Sequence, residues 1–357
     1  MRKLIVVLVM LAASARAAEF EVQKVADGVY AAVRTKPPGL MFDANSVFII
    51  NDDDVVVVDT NITPASARET LAALRKLTAK PVRYVVNTHW HDDHMIGNAV
   101  YREAFPNVEL IGHSSFAADA STIGAANRKG TLTGGPQLVA DMKKMIAAKK
   151  SFDGSALTDE ERISFQSDVD AAERYFAAAP EFHPIMPTIT IEDELTLVRG
   201  KRSIEIRHLG RGHSGADLVV WLPNERIAIT GDLVVWPVPL VGSTSFPREY
   251  ASALQKLLAL KPAAFIPGHG PVLRDDAYVQ LMARLLGSIA DQTEAAAKRG
   301  ATLEEARKSV KLDELRTAFA GDSKLKQLIF DFYVAGPGVA AAYKQATAPA
   351  APAERAK

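Results

Sequence analysis

His89-Trp90-His91-Asp92-Asp93-His94 places four potential metal ligands, His89, His91, Asp93 and His94, within six residues. His89 and His91 stand two apart, the spacing that points side chains the same way in extended chain, and Asp93 and His94 fall where a following helix should begin. Immediately upstream, residues 82–86 read as a buried strand that runs out into Asn87-Thr88-His89. Further back, Val55-Val56-Val57-Val58-Asp59 is a continuous β-branched run of the kind covered on both faces. Between these strands a helix opens near Pro64, with Leu71, Leu74 and Leu77 repeating at helical spacing. Strand, helix, strand predicts the start of an α/β layered domain, and the strand-like runs at 28–35 and 46–50 lead into it.

Downstream the pattern changes. Residues 114–180 are rich in Ala, Lys and acidic side chains, and Thr158 with Glu161 has capping-box spacing, which predicts a helical insertion. Strand patterns resume at Thr188 and continue through Ile204-Glu205-Ile206-Arg207-His208, 218–222 and 226–230, implying a second α/β half. From about Asp275 the chain is helical by pattern, with Thr302 and Glu305 as another capping box, and the Ala/Pro tail 348–357 is expected to be disordered. At the other end, Arg2-Lys3, an apolar run at 4–13 and Ala15-Arg16-Ala17 follow the order of a secretory signal peptide cleaved after Ala17. That run is about half of the roughly 20 residues a helix needs to span a bilayer, so a stable membrane anchor is not expected. The expected division is therefore a signal peptide at 1–17, a main domain at 18–274, and C-terminal helices at 275–347 packed on it.

Composition narrows the chemistry. With 357 residues, 48% of them hydrophobic, the chain can bury a large core. Lys plus Arg and Asp plus Glu balance at 42 each, so there is no basic excess to neutralise a nucleic-acid backbone. No cysteine is present, so a metal site must be built from nitrogen and oxygen ligands. Three further segments carry such ligands on turns after strand-like runs: Gly210-Arg211-Gly212-His213-Ser214-Gly215-Ala216-Asp217, Thr230-Gly231-Asp232 and Pro267-Gly268-His269-Gly270. Ligands gather at the carboxyl ends of strands in α/β sheets, so these distant segments can converge.

The order H-x-H-x-D-H, G-H-[ST], G-D, P-G-H-G resembles the metallo-β-lactamase superfamily over residues 45–274. The resemblance implies an αββα sandwich of two similar halves. It implies a first metal site of His89, His91 and His213, a second of Asp93, His94 and His269, and Asp232 bridging the two as in the glyoxalase II-like branch. Two zinc ions per chain are expected, although iron or manganese also suits an all-N/O ligand set. The reaction expected is attack by metal-bound hydroxide, with Asp93 positioning it or receiving its proton, on a small ester, thioester, lactone or lactam in the periplasm or outside the cell. Competing readings are a β-lactamase proper, a mononuclear iron oxygenase acting on sulfur compounds, and a metal-binding protein without turnover. A small-molecule substrate is the partner expected, with homo-oligomers possible.

Around this constellation, His113, His183 and His208 read as ordinary structural histidines, and Asp59 as a support for loop hydrogen bonds. Asp217 is either a support of the site or a strand-start residue, and Asp92 is expected to point to solvent. Trp90 and Trp236-Pro237-Val238-Pro239-Leu240 either line a substrate pocket or pack in the core. The 114–180 insertion is expected near the site, as a lid or as a dimer contact.

Overall fold

The computed structural model describes residues 19–41 and 43–348, so the signal-peptide reading and the tail beyond Ala348 lie outside the described residues. Seven strands form the first sheet: β1 (Phe20–Ala26), β2 (Val29–Arg34), β3 (Ser46–Ile50), β4 (Val55–Val58), β5 (Val82–Val86), β6 (Glu109–His113) and β7 (Ile189–Ile191). They lie side by side in chain order, antiparallel from β1 to β4 and parallel from β4 to β7. The second sheet holds β8 (Glu194–Arg199), β9 (Arg202–Arg207), β10 (Val219–Leu222), β11 (Ile227–Val235) and β12 (Ala264–His269), again in chain order, with only β11 and β12 parallel.

Strand alternation divides the apolar side chains between layers. In β4 every residue is buried: Val56 and Val58 meet the second sheet, whereas Val55 and Val57 face the helices on the outer side. In β11, Ile227 and Ile229 fill the space between the sheets and Ala228 faces outward. The inter-sheet core joins Val47, Ile49, Val86 and Ile111 to Ile204, Ile206, Val220 and Ile266. Outside the first sheet lie α1 (Pro64–Leu77), a short turn of helix α2 (Asp92–Met95) and α3 (Asn98–Ala104). Helix α1 starts at the Thr63 cap and buries Leu71 and Leu74, while Leu77, at its last turn, is exposed.

The 114–180 stretch is helical: α4 (Phe116–Asp119), a π-helical turn at Ala120–Gly124, α5 (Ala125–Ala148) and α6 (Asp159–Ala178), the last opened by the Thr158–Glu161 capping box. Outside the second sheet lie α7 (Pro247–Ala259), α8 (Ala277–Lys298), α9 (Leu303–Ser309), α10 (Asp313–Ala320), α11 (Lys324–Phe330) and α12 (Gly336–Thr347), with Thr302 and Glu305 capping α9. Val139 of α5 and Phe165 of α6 join one apolar core with Leu254, Leu286 and Phe330. The architecture is an αββα sandwich with a helical C-terminal region. Strand β1 was not legible in the sequence: Glu21, Gln23 and Lys24 dilute its apolar positions, as suits an edge strand.

Candidate metal centre

Loops at one edge of both sheets carry the constellation. Strand β5 ends at Val86, and the chain bends through Thr88 to His91 before entering α2. His213 follows β9, Asp232 lies within β11, and His269 is the last residue of β12. A side chain at position 268 would put its Cβ 2.0 Å from Asp232 Oδ1, so Gly268 lets β12 pass close enough for His269 and Asp232 to meet.

Two donor groups result, His89, His91, His213 and Asp232 in one, and Asp93, His94 and His269 in the other, each with its donor atoms within 4.8 Å of one another. His91 Nδ1 lies 2.9 Å from His89 Nε2 and 3.0 Å from His213 Nε2. Asp232 faces both groups: Oδ2 is 3.5 Å from His213 Nε2 and 3.9 Å from His89 Nε2, while Oδ1 is 3.3 Å from the Nε2 atoms of both His94 and His269. Asp93 Oδ2 completes the second group, 3.1 Å from His269 Nε2 and 3.3 Å from His94 Nε2.

The remaining ring nitrogens are held from behind. His213 Nδ1–H donates to the Leu240 carbonyl at 3.0 Å, which leaves a bare lone pair on Nε2. His94 Nδ1 is 2.8 Å from Asp59 Oδ2, and the same carboxylate accepts from the Thr88 amide and hydroxyl. Asp59 reaches this position from a left-handed backbone, φ 60°, uncommon for a residue with a side chain. His269 Nδ1 lies 3.2 Å from the Asp43 carbonyl.

Donor chemistry suits cations. Burial, then the neighbouring histidines, hold His89 well below the usual imidazole range, and burial with His213 beside it brings His91 down to about 3, so both present neutral rings. Burial opposes charge on His269, yet the Asp232 and Asp93 carboxylates push it up to about 9; His94 is raised in the same way by Asp93 and Asp59. Burial works against ionised Asp93 and Asp232, but His94 and His269 hold both well below the usual carboxylate range. His94 Nε2 and Asp232 Oδ1 are buried without a hydrogen-bond partner of good geometry. Buried donors and acceptors left unmade in this way, aimed at one another's centre, fit metal ions.

Second-tier residues resolve differently. Asp59 braces the His94 ring, and Asp217 accepts from the Ser214 amide and hydroxyl and so steadies the His213 turn. The rings of His113 and His208 pack 4.4 Å apart, and His208 Nδ1 donates to the Asp217 carbonyl. Asp92 does not point to solvent: it is held bidentately by Arg128 and accepts from the Tyr175 hydroxyl at 2.7 Å, because α5 and α6 fold over it. Trp90 is buried among Met95, Ile96 and Phe116.

Trp236, Pro237, Val238 and Leu240 line an open, mostly apolar cavity of about 300 Å³ together with Asp43, His269, Ile329 and Tyr333, with Arg34 and Lys36 also in its wall. A second, smaller cleft on the other side of the centre is bounded by His91, Asp93, Asn127, Arg128 and Tyr175. Asp43, Arg34, Arg128, Tyr175 and Tyr333 carry no local motif, so nothing short of the folded chain places them here.

Comparison with known proteins follows the same line. A family model described as the metallo-beta-lactamase superfamily matches residues 41–269. A linear primary-alkylsulfatase of Pseudomonas sp. (strain ATCC 19151) is 27% identical over 272 residues, which is 73% of this chain and 48% of that protein. The chain thus spans about half the length of that curated relative. Among solved structures, a metallo-beta-lactamase from Pontibacter korlensis matches 75% of this chain and 99% of its own at 20% identity and TM-score 0.52. The sec-alkylsulfatase Pisa1 from Pseudomonas sp. matches 91% of this chain and 50% of its own at 17% identity and TM-score 0.62.

Proposed function

The chain belongs to the metallo-β-lactamase superfamily, and on that premise we propose that it is a zinc-dependent hydrolase cleaving an ester that carries an apolar group. The observation that carries this reading is the position of Asp232, one carboxylate oxygen toward each donor group, with the buried His94 Nε2 beside it. His89, His91 and His213 would hold one ion, Asp93, His94 and His269 the other, and Asp232 both. Zinc bound there supplies a water that is nucleophilic at neutral pH and positive charge for the oxygen that becomes negative during attack.

The chain's own groups do the rest. Asp93 is the centre's carboxylate nearest the opening and lines the cleft, which places it to orient the attacking water and take its proton. The apolar side chains of Val235, Trp236, Pro237, Val238 and Leu240, beside His269, would accept the hydrophobic part of the substrate. Likeness to proteins named as alkylsulfatases makes alkyl sulfate esters the first class to test, ahead of carboxyl esters, thioesters, lactones and lactams. Protein purified without chelator should contain about two zinc ions, turn over at least one class, lose activity with a chelator and regain it with zinc. Asp232→Ala should carry about one ion by elemental analysis. Two zinc ions with no turnover on dodecyl sulfate, nitrophenyl esters, thioesters, lactones or nitrocefin would leave a binding protein; one iron with oxygen uptake would point to an oxygenase.

We place the protein outside the cytoplasm on the pattern of residues 1–17 alone. Fractionation of cells expressing the full chain, with a cytoplasmic marker enzyme as reference, checks this.

A further inference from the structure

The segment His89 to Asp93 uses its two faces for different purposes. His89, His91 and Asp93 point into the metal centre, whereas Trp90 and Asp92, the residues between them, point into the helical segment that joins β6 to β7. Both of these outward residues are gripped. Arg128 of α5 meets Asp92 with a fork of two hydrogen bonds, 2.9 Å from Nε and 2.5 Å from Nη2, and Tyr175 of α6 donates to the same carboxylate. The Asp92 and Arg128 side chains are only 16% and 18% exposed, so this pair is shielded from water far more than a surface ion pair.

Trp90 is held one helical turn away. The chain between α4 and α5 winds as a π-helix over Ala120–Gly124, and a Cβ at Gly124 would stand 3.1 Å from Trp90 Cε3. The wider turn and the missing side chain together let the backbone come close to the indole. Phe116 and Ala120 close on Trp90 from the same segment.

We infer that Arg128 and Tyr175 are positioning residues for the metal centre, and that the 116–178 helices act as a clamp on the ligand loop. The inference rests on the two-ion reading above. Its physical basis is that a loop carrying ligands on alternate residues is fixed only if the residues between them are fixed too. Partners that orient metal ligands typically change affinity by about 10- to 100-fold when removed. A bidentate Arg–carboxylate contact with a third hydrogen bond sets both the position and the rotation of Asp92, and hence of the peptide units on either side.

The test is zinc affinity, measured by competition with a chelating dye on full-length protein, independent of any substrate. Arg128→Ala with Tyr175→Phe should weaken the weaker of the two zinc sites by about 10- to 100-fold while the metal-free protein keeps its circular dichroism spectrum. Arg128→Lys, which keeps the charge and loses the fork, should fall between that variant and wild type. Lys143→Ala removes an ion pair to Glu173 that joins the same two helices away from Asp92, and should leave affinity unchanged. Wild-type affinity in the double variant, or an equal loss in Lys143→Ala, would overturn the clamp while leaving the metal reading intact. Wild-type protein that binds no zinc would overturn both.

Discussion

Asp59 shows how much can depend on one side chain. Its left-handed backbone turns the carboxylate toward His94 Nδ1, and that contact leaves Nε2 to face Asp232. Asparagine tolerates the same backbone, so Asp59→Asn should fold, yet it loses the ionised acceptor that fixes the ring. Zinc affinity should fall by about 10- to 100-fold in a dye competition, with little change in the melting temperature of the metal-free protein. Protons give a second residue-scale prediction. In the metal-free protein the neighbouring carboxylates raise both His94 and His269, the latter to about 9, so zinc binding should displace protons. Binding heats measured in buffers of different ionisation enthalpy should reveal proton release at pH 7, and affinity should climb as pH rises toward 9. The sign for stability is opposite. A histidine raised on folding stabilises the metal-free fold fully below its unfolded value of about 6.5, and that contribution disappears as pH rises through about 9. Chelator-treated protein should therefore melt at a lower temperature at pH 9.5 than at pH 6.5.

Helix ends and strand cores were readable because their signals lie within a few residues. Thr158 with Glu161 and Thr302 with Glu305 stand three apart, and both form the reciprocal bonds that such spacing allows. Thr158→Ala should cost about 1 kcal/mol in urea unfolding, since it removes one hydrogen bond to the buried Glu161 carboxylate and leaves the Glu161 amide at the start of α6 without its cap. The valine run of β4 was legible for a similar reason, being apolar on both faces. What escaped is long-range. Asp92 looks solvent-bound to a reader of its neighbours, because the groups that hold it stand 36 and 83 residues away. Arg34, Ile329 and Tyr333 come to one cavity from opposite ends of the chain, and no periodicity announces that. The residues that the fold brings together as donors were readable, since each sits in a short Gly- or Asp-marked segment.

Across the whole molecule, the packed interface between the two sheets sets the geometry of the edge where the donors meet. Ile206 lies fully buried in that interface, against the first sheet's valines and isoleucines. Ile206→Ala should lower unfolding free energy by about 2–5 kcal/mol in denaturant titrations, through lost apolar burial and a residual cavity. The donor set is split across this interface: His89, His91, Asp93 and His94 follow the first sheet, while His213, Asp232 and His269 belong to the second. Neither half owns a complete coordination sphere. An ion held by the whole set would therefore enter only once the halves have met. If the closed sandwich then exchanges slowly, the same polypeptide refolded in iron and in zinc should yield two different holoproteins, told apart by elemental analysis.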